Sequence, residues 1–193
     1  MSSPATGPRI APLEPPYDPE ADRILKRMMP KGMEPLKLFR TVAHNQHILD
    51  KLRSTGTYLL NYGTLDPLER EIVIHRTCAR CGSEYEWGVH VIAYGRRLGL
   101  SDEQIEATVA GSADALVWSE RQSLLMQLVD ELHDHATVSN ELWERLADNW
   151  SPAQLVELLA LVGQYHTVSF FTNAMRVEHE DGAPVFPTSS RPE

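Results

Sequence analysis

The chain has 193 residues, of which 42% are apolar and 23% are charged, and this composition is typical of one folded globular domain. Its net charge of −9 comes without a lysine and arginine cluster that could neutralise phosphates, which argues against a nucleic-acid partner. No apolar run is long enough for a membrane span and no signal-peptide pattern opens the chain. We therefore expect a cytoplasmic protein with no membrane partner.

Prolines dominate the first segment of the chain. Residues 1–17 are predicted to form a flexible Pro-rich arm, because a helix cannot propagate through prolines at this density. One short helix is expected from Asp18 to just before Pro30, and two more between Pro35 and Leu60.

The stretch 65–99, LDPLEREIVIHRTCARCGSEYEWGVHVIAYGRRLG, predicts a hairpin of two helices. Asp66 is suited to cap the first helix and Glu69 to complete a capping box, after which the helix runs to about Arg80. Gly82 is suited to the left-handed residue that follows a helix end. The two helices should therefore meet at Gly82.

The second helix of the hairpin is predicted to open with another capping box, formed by Ser83 and Glu86. At about 100° per residue, Glu71 and His75 share one face of the first helix, and Glu86 and His90 share one face of the second. Glu86 has two competing roles, since the same carboxylate could cap the helix or face the space between the helices.

The rest of the chain also predicts helices. Capping boxes open three of them, and a serine cap opens a fourth: Ser101, Ser119, Ser139 and Ser151. Apolar spacings of three and four recur, and no strand pattern competes with them. We predict an all-α protein with one helical domain at 18–180, built from two similar helical halves, and a loose C-terminal tail at 181–193.

The hairpin resembles the carboxymuconolactone decarboxylase and alkylhydroperoxidase D-like superfamily. The resemblance rests on three short motifs: R70-E71, Y85-E86-W87-x-x-H90 and G99-L100-S101. It implies an all-helical subunit with its site in the hairpin, a small-molecule substrate, and assembly as a homo-oligomer, usually a trimer or hexamer.

The hydroperoxidase branch of that superfamily carries a C-x-x-C motif whose second cysteine lies four residues before the histidine. In this chain Ser83 and Glu86 occupy those positions, so the sequence is more similar to the decarboxylase branch. The resemblance implies His90, Glu71 and Glu86 as catalytic residues. The activity implied is cofactor-independent acid/base chemistry, decarboxylation or a related proton transfer, on a small carboxylated or lactone-type molecule.

Two other functions stay open at this stage. Cys78 and Cys81 could act as the redox pair of a thiol peroxidase or disulfide reductase, although the end of a helix raises a thiol pKa. Alternatively, the chain could be a non-catalytic helical oligomer that binds a small molecule, with Glu71 and His90 forming a buried structural pair.

We expect Trp87, Tyr94 and His75 to wall the pocket and the second half of the chain to supply only packing. One of four nearby arginines could bind a substrate carboxylate: Arg76, Arg80, Arg96 or Arg97. No metal site is predicted, because E-x-x-x-H is not the ligand spacing of carboxylate-bridged bundles, and the H133-x-H135 pair near a helix end is usually solvated.

Overall fold

The computed structural model describes residues 7–30 and 32–187, and within them it contains helices and no strand. The prediction of an all-α protein is confirmed. The helices are α1 (Pro19–Met28), α2 (Lys37–Val42), α3 (Gln46–Asn61), α4 (Pro67–Arg80), α5 (Glu84–His90), a π-helical turn (Val91–Gly95), α6 (Asp102–Ala110), α7 (Glu120–His135), α8 (Asn140–Asn149) and α9 (Pro152–Met175). Within the same ranges, none of these helices is both long and apolar enough to cross a membrane.

Most helices begin where their capping residues predict. Ser101, Ser119 and Ser151 each accept a bond from the backbone N–H of the glutamine three residues on, and that glutamine bonds back to the serine N–H. Each box satisfies two backbone donors that the first helical turn leaves free. These three predictions are confirmed.

The start of α4 differs from its prediction in one respect. Asp66 caps the helix by accepting from the N–H groups of Leu68 and Glu69, as expected. The Glu69 side chain does not reach back to complete a box, because it pairs with Arg121 and accepts a 3.1 Å bond from Trp150 Nε1. A charged partner outweighs a neutral backbone donor, so Glu69 ties α4 to the second half of the chain instead.

Helix α4 lies at the centre of the molecule and packs against α5, α6, α7 and α9. Every residue from Glu69 to Cys78 is buried, including the polar ones. Its apolar residues Ile72, Val73 and Ile74 join a core that extends into α7 and α9. Burial of such a side chain contributes roughly 1.5–3 kcal/mol, so the polar residues of α4 are held inside by their apolar neighbours.

The two terminal segments lie against this helical body. The Arg9 N–H donates to Met175 O at 2.8 Å, and Leu13 and Tyr17 pack on a second core around α1, α2 and α3. Near the C-terminus, the Phe186 ring packs edge-on against the Trp87 ring, with 5.4 Å between the ring centres. The part of the expected loose tail up to residue 187 therefore packs on α5 through this aromatic contact, while residues 1–6 and 188–193 lie outside the described residues.

Arg76 fastens α4 to two of its neighbours. Its guanidinium lies 2.7 and 2.8 Å from the two carboxylate oxygens of Asp130 in α7, and it donates to the carbonyls of Thr108 and Gly111 at the end of α6. Arg76 is 6% exposed, so its guanidinium depends on these protein acceptors rather than on water. The residue is therefore structural.

We expect Arg76→Ala to lower the free energy of unfolding by about 3 kcal/mol, since it removes the donor of the buried Thr108 carbonyl and leaves Asp130 with only its 3.4 Å contact to Arg80. Arg96→Ala is the matched control, because the Arg96–Asp102 pair is exposed and should contribute less than about 1 kcal/mol. Urea unfolding of both variants measures the difference. Equal losses would show that Arg76 does not fasten the helices.

Candidate active site

The turn at Gly82 brings two buried side chains together. Gly82 adopts the left-handed conformation at φ +63°, as its position predicts, and α5 folds back along α4. Glu71 Oε2 then lies 2.8 Å from His90 Nδ1, and both residues are buried. The two residues thus project from the facing sides of α4 and α5 and form a direct contact.

Glu86 also lies at this site. The predicted capping box of Ser83 and Glu86 is wrong. Ser83 precedes α5 but makes no side-chain cap bond. Its hydroxyl lies 2.7 Å from that of Thr172 in α9, because the buried Ser83 side chain points into the protein. Glu86 Oε1 lies instead 3.5 Å from His90 Nε2, and its buried Oε2 has no hydrogen-bond partner in the described part of the chain.

Tyr165 is a site residue that the sequence interpretation missed. Its hydroxyl lies 3.0 Å from His90 Nε2, and the side chain is buried in the middle of α9. The expectation that the second half of the chain supplies only packing is therefore wrong. One signal was present: a tyrosine in an otherwise apolar helix needs a hydrogen-bond partner when buried.

Opposing effects act on the charge of His90. Burial alone would lower the pKa of His90, but the Glu71 carboxylate, with Glu86 in support, outweighs burial and raises this pKa to about 9. Burial opposes the charge on Glu71 as well, yet His90 beside it keeps the pKa of Glu71 below its usual range. At neutral pH the pair is an imidazolium and a carboxylate.

Arg70 and His75 complete the surroundings of Glu71. The Arg70 guanidinium lies 3.3 Å from Glu71 Oε1, the carboxylate oxygen that does not face His90. His75 Nδ1 donates to the Glu71 backbone carbonyl at 2.6 Å, and burial lowers the pKa of His75 to about 4. His75 is therefore neutral. Its ring packs closely against Gly95, because a Cβ at position 95 would lie 3.1 Å from His75 Nε2.

The two predicted aromatic walls occupy different places. Trp87 is buried edge-on to His75 and donates from Nε1 to Thr108 Oγ1 at 3.1 Å. Tyr94 stacks on the His90 ring at 5.1 Å between ring centres and remains partly exposed. It belongs to the π-helical turn, a distortion frequently found at functional sites. Tyr94 thus separates His90 from solvent.

The cysteines are not activated as thiols. Burial raises the pKa of Cys78 well above its usual value, and it also raises the pKa of the half-buried Cys81. The direction agrees with the sequence argument, although burial rather than the helix dipole is the main cause. Both sulfurs are therefore protonated and weakly nucleophilic at neutral pH.

Three of the four arginines considered for substrate binding are already paired with aspartates: Arg76, Arg80 and Arg96. Arg97 makes no ion pair that the structure describes. Its guanidinium lies 5.8 Å from the centre of the Tyr94 ring, and the residue is exposed. Of the four arginines, Arg97 is therefore the one that could bind a substrate carboxylate beside Tyr94.

One protein-family model matches the part of the chain that contains the helical hairpin. Residues 46–130 match the carboxymuconolactone decarboxylase family, and the match includes Glu71, Glu86 and His90. Tyr165 lies beyond its end. No curated protein sequence matches the chain closely enough to count as a relative.

Solved structures share the fold at low sequence identity. A peroxidase-related protein from Silicibacter sp. TM1040 is 16% identical with a TM-score of 0.77, and the match covers 94% of this chain and 97% of that one. The debrominase Bmp8 is 12% identical with a TM-score of 0.71, covering 89% and 92%. A protein of unknown function from Agrobacterium tumefaciens, suggested to be the antioxidant defence protein AhpD, is 18% identical with a TM-score of 0.66, covering 72% and 94%.

At these identities the solved structures show a shared fold, and the similarity to the carboxymuconolactone decarboxylase family covers residues 46–130. The matched segment contains the helical hairpin and its Glu71–His90 pair, so the predicted resemblance to the carboxymuconolactone decarboxylase and alkylhydroperoxidase D-like superfamily is confirmed.

Proposed function

We propose that this chain is an enzyme of the carboxymuconolactone decarboxylase type that needs no organic cofactor. It would carry out decarboxylation or a related proton transfer on a small carboxylated or lactone-type molecule. The observation that carries the proposal is the buried His90 imidazolium, held by Glu71 at Nδ1 and facing Glu86 and Tyr165 at Nε2. A charged imidazolium that is held in one orientation can act as a general acid.

In the proposed reaction His90 supplies a proton to carbon. When the bond to a carboxylate carbon breaks, carbon dioxide leaves and the electron pair remains on the substrate as an enolate-like anion. The Nε2–H of His90 then transfers its proton to that carbon, and the imidazole becomes neutral. Glu71 keeps the ring oriented and favours its charged form, while Glu86 and Tyr165 are placed to relay a proton from solvent back to Nε2.

Access to His90 would depend on Tyr94. The Tyr94 ring covers His90 and lies in the π-helical turn, so rotation of this one partly exposed side chain would open a route to Nε2. Arg97, whose guanidinium lies over the Tyr94 ring, would bind a substrate carboxylate there. The electrostatics therefore favour an anionic substrate.

The thiol peroxidase alternative has less support. A peroxidatic cysteine works as a thiolate, and burial keeps the pKa of both Cys78 and Cys81 raised. The positions that carry the redox pair in the hydroperoxidase branch hold Ser83 and Glu86, and Ser83 is bonded to Thr172. We therefore keep acid/base chemistry as the proposal.

We also propose that the chain forms a homo-oligomer, a trimer or hexamer. Exposed apolar side chains on α9 support this, among them Val156 and Phe170, which are 67% and 64% exposed. At about 100° per residue the two side chains lie within about 40° of each other around α9, and exposed apolar groups aligned on one face are typical of a surface that a partner covers.

A ligand-shift melting screen over lactones, muconate-like diacids and hydroperoxides should identify the substrate class, since a bound ligand raises the melting temperature. We expect a lactone or diacid to be bound and turned over. On it, His90→Gln should lower kcat by about 100-fold or more, because a general acid contributes about 10²–10⁴-fold. Arg97→Ala should raise KM, and Arg96→Ala is the matched control that should not.

Two outcomes would contradict the proposal. One is peroxide consumption that Cys78→Ser or Cys81→Ser abolishes, which would favour the thiol enzyme. The other is turnover of the identified substrate that survives His90→Gln. A folded His90→Gln protein that still binds but no longer reacts would exclude the non-catalytic alternative.

Light scattering at micromolar concentration tests the oligomer. We expect a mass that is three or six times that of the 21.8 kDa chain. Val156→Glu together with Phe170→Glu should lower this mass, because each places a charge on the apolar surface. A strict monomer in the wild type would contradict the proposal.

A further inference from the structure

A second group of chemically capable side chains lies outside the Glu71–His90 site. Cys81 follows the last residue of α4, His133 is in the last turn of α7, and His166 is in the middle of α9. One ligand atom from each of the three lies within 4.8 Å of the others, and all three residues are partly exposed. None of them takes part in the proposed proton transfer.

The two ligand-atom separations that involve His133 match those around a tetrahedral metal ion. With metal–nitrogen bonds of about 2.05 Å and a metal–sulfur bond of about 2.3 Å, tetrahedral angles place two nitrogens about 3.4 Å apart and a nitrogen and sulfur about 3.6 Å apart. His133 Nδ1 lies 3.2 Å from His166 Nε2 and 3.8 Å from Cys81 Sγ. These two separations need only a few tenths of an ångström of adjustment, and the third, between the ligand atoms of Cys81 and His166, is at most 4.8 Å.

The hydrogen bonds of His166 orient it as a ligand. His166 Nδ1 lies 3.0 Å from the carbonyl of Val162, so Nδ1 carries the proton and donates it there. The lone pair is then on Nε2, the atom that faces His133. Histidines that bind metals usually donate their other ring N–H to a carbonyl or carboxylate in this way, which fixes both tautomer and ring orientation.

The charges near these three residues do not oppose the binding of a cation. Arg80 is a positive side chain that acts on both Cys81 and His133, and it is engaged by two carboxylates, 2.6 Å from Asp134 and 3.4 Å from Asp130. These carboxylates offset its charge. The set of one thiolate and two imidazoles is the borderline-soft donor set that zinc prefers.

We propose that Cys81 Sγ, His133 Nδ1 and His166 Nε2 form a site for Zn²⁺ or a similar divalent transition-metal ion. The Cys81 thiol would lose its proton to solvent as the metal–sulfur bond forms, and His133 would carry its proton on Nε2 instead of on Nδ1, which donates to His166 Nε2 in the absence of metal. Three protein ligands leave a fourth tetrahedral position for water or a small ligand. The metal would join α4, α7 and α9 and withdraw Cys81 from thiol chemistry.

The H-x-H pair considered in the sequence is not this site. His135, the second histidine of that pair, is exposed and is not one of the three clustered residues. It therefore offers a matched control, since it is a histidine on the same helix, two residues from His133.

The test uses tag-free protein, stripped with EDTA, dialysed and kept reduced, and titrated with Co²⁺ as the probe. We expect one equivalent to bind per chain, with visible bands of tetrahedral Co²⁺ and a near-ultraviolet thiolate-to-cobalt band. Zn²⁺ should displace the Co²⁺ and raise the melting temperature. Cys81→Ser should remove the thiolate band, and His166→Ala should weaken binding at least tenfold.

The control and a second variant keep the result interpretable. His135→Ala should bind as the wild type does. If His166→Ala fails to fold, His166→Asn, which retains a polar side chain of smaller size, replaces it. Absence of binding at micromolar metal would overturn the proposal and leave a metal-free His133–His166 hydrogen bond. Binding that persists unchanged in Cys81→Ser and His166→Ala, or that is lost in His135→Ala, would overturn it too.

Discussion

The ion pair between Glu71 and His90 is the interaction on which the rest of the site depends. Both side chains are buried, and a lone charge in such a place costs several kilocalories per mole. Their 2.8 Å contact lets both stay charged, with Arg70 holding the second oxygen of Glu71. Removing either partner would strand the other, so α4 and α5 are constrained to one relative position.

Neighbouring elements direct the reactive side of the His90 ring. Ser83 bonds to Thr172 rather than to the start of α5, and this leaves the Glu86 carboxylate beside His90 Nε2. Tyr165 approaches the same nitrogen from α9. Side chains from α5 and α9 thus contact His90 Nε2, while Glu71 holds Nδ1. This division is what a proton donor needs: one side anchors the ring and the other faces the reaction.

Sequence reasoning succeeded where the cause is local. The Gly82 turn and the facing of Glu71 and His90 follow from backbone preferences and from the 3.6-residue period. It failed where a distant partner competes. Ser83 was expected to cap α5, but its burial against α9 gave it another partner, and Tyr165 lies too far along the chain for spacing to connect it with His90. The same holds for Cys81 and the two histidines of the proposed metal site, which come from separate helices.

The central claim is that Glu71 keeps His90 charged, and a nuclear magnetic resonance titration of the His90 ring tests it most directly. The folded pKa of about 9 exceeds the ordinary 6.5, so the stability from the pair is present below pH 6.5 and is lost as the pH rises through 9. In Glu71→Gln, burial should dominate and the pKa of His90 should fall to 6.5 or below. A wild-type value at or below 6.5, or a value near 9 that Glu71→Gln leaves unchanged, would contradict the account.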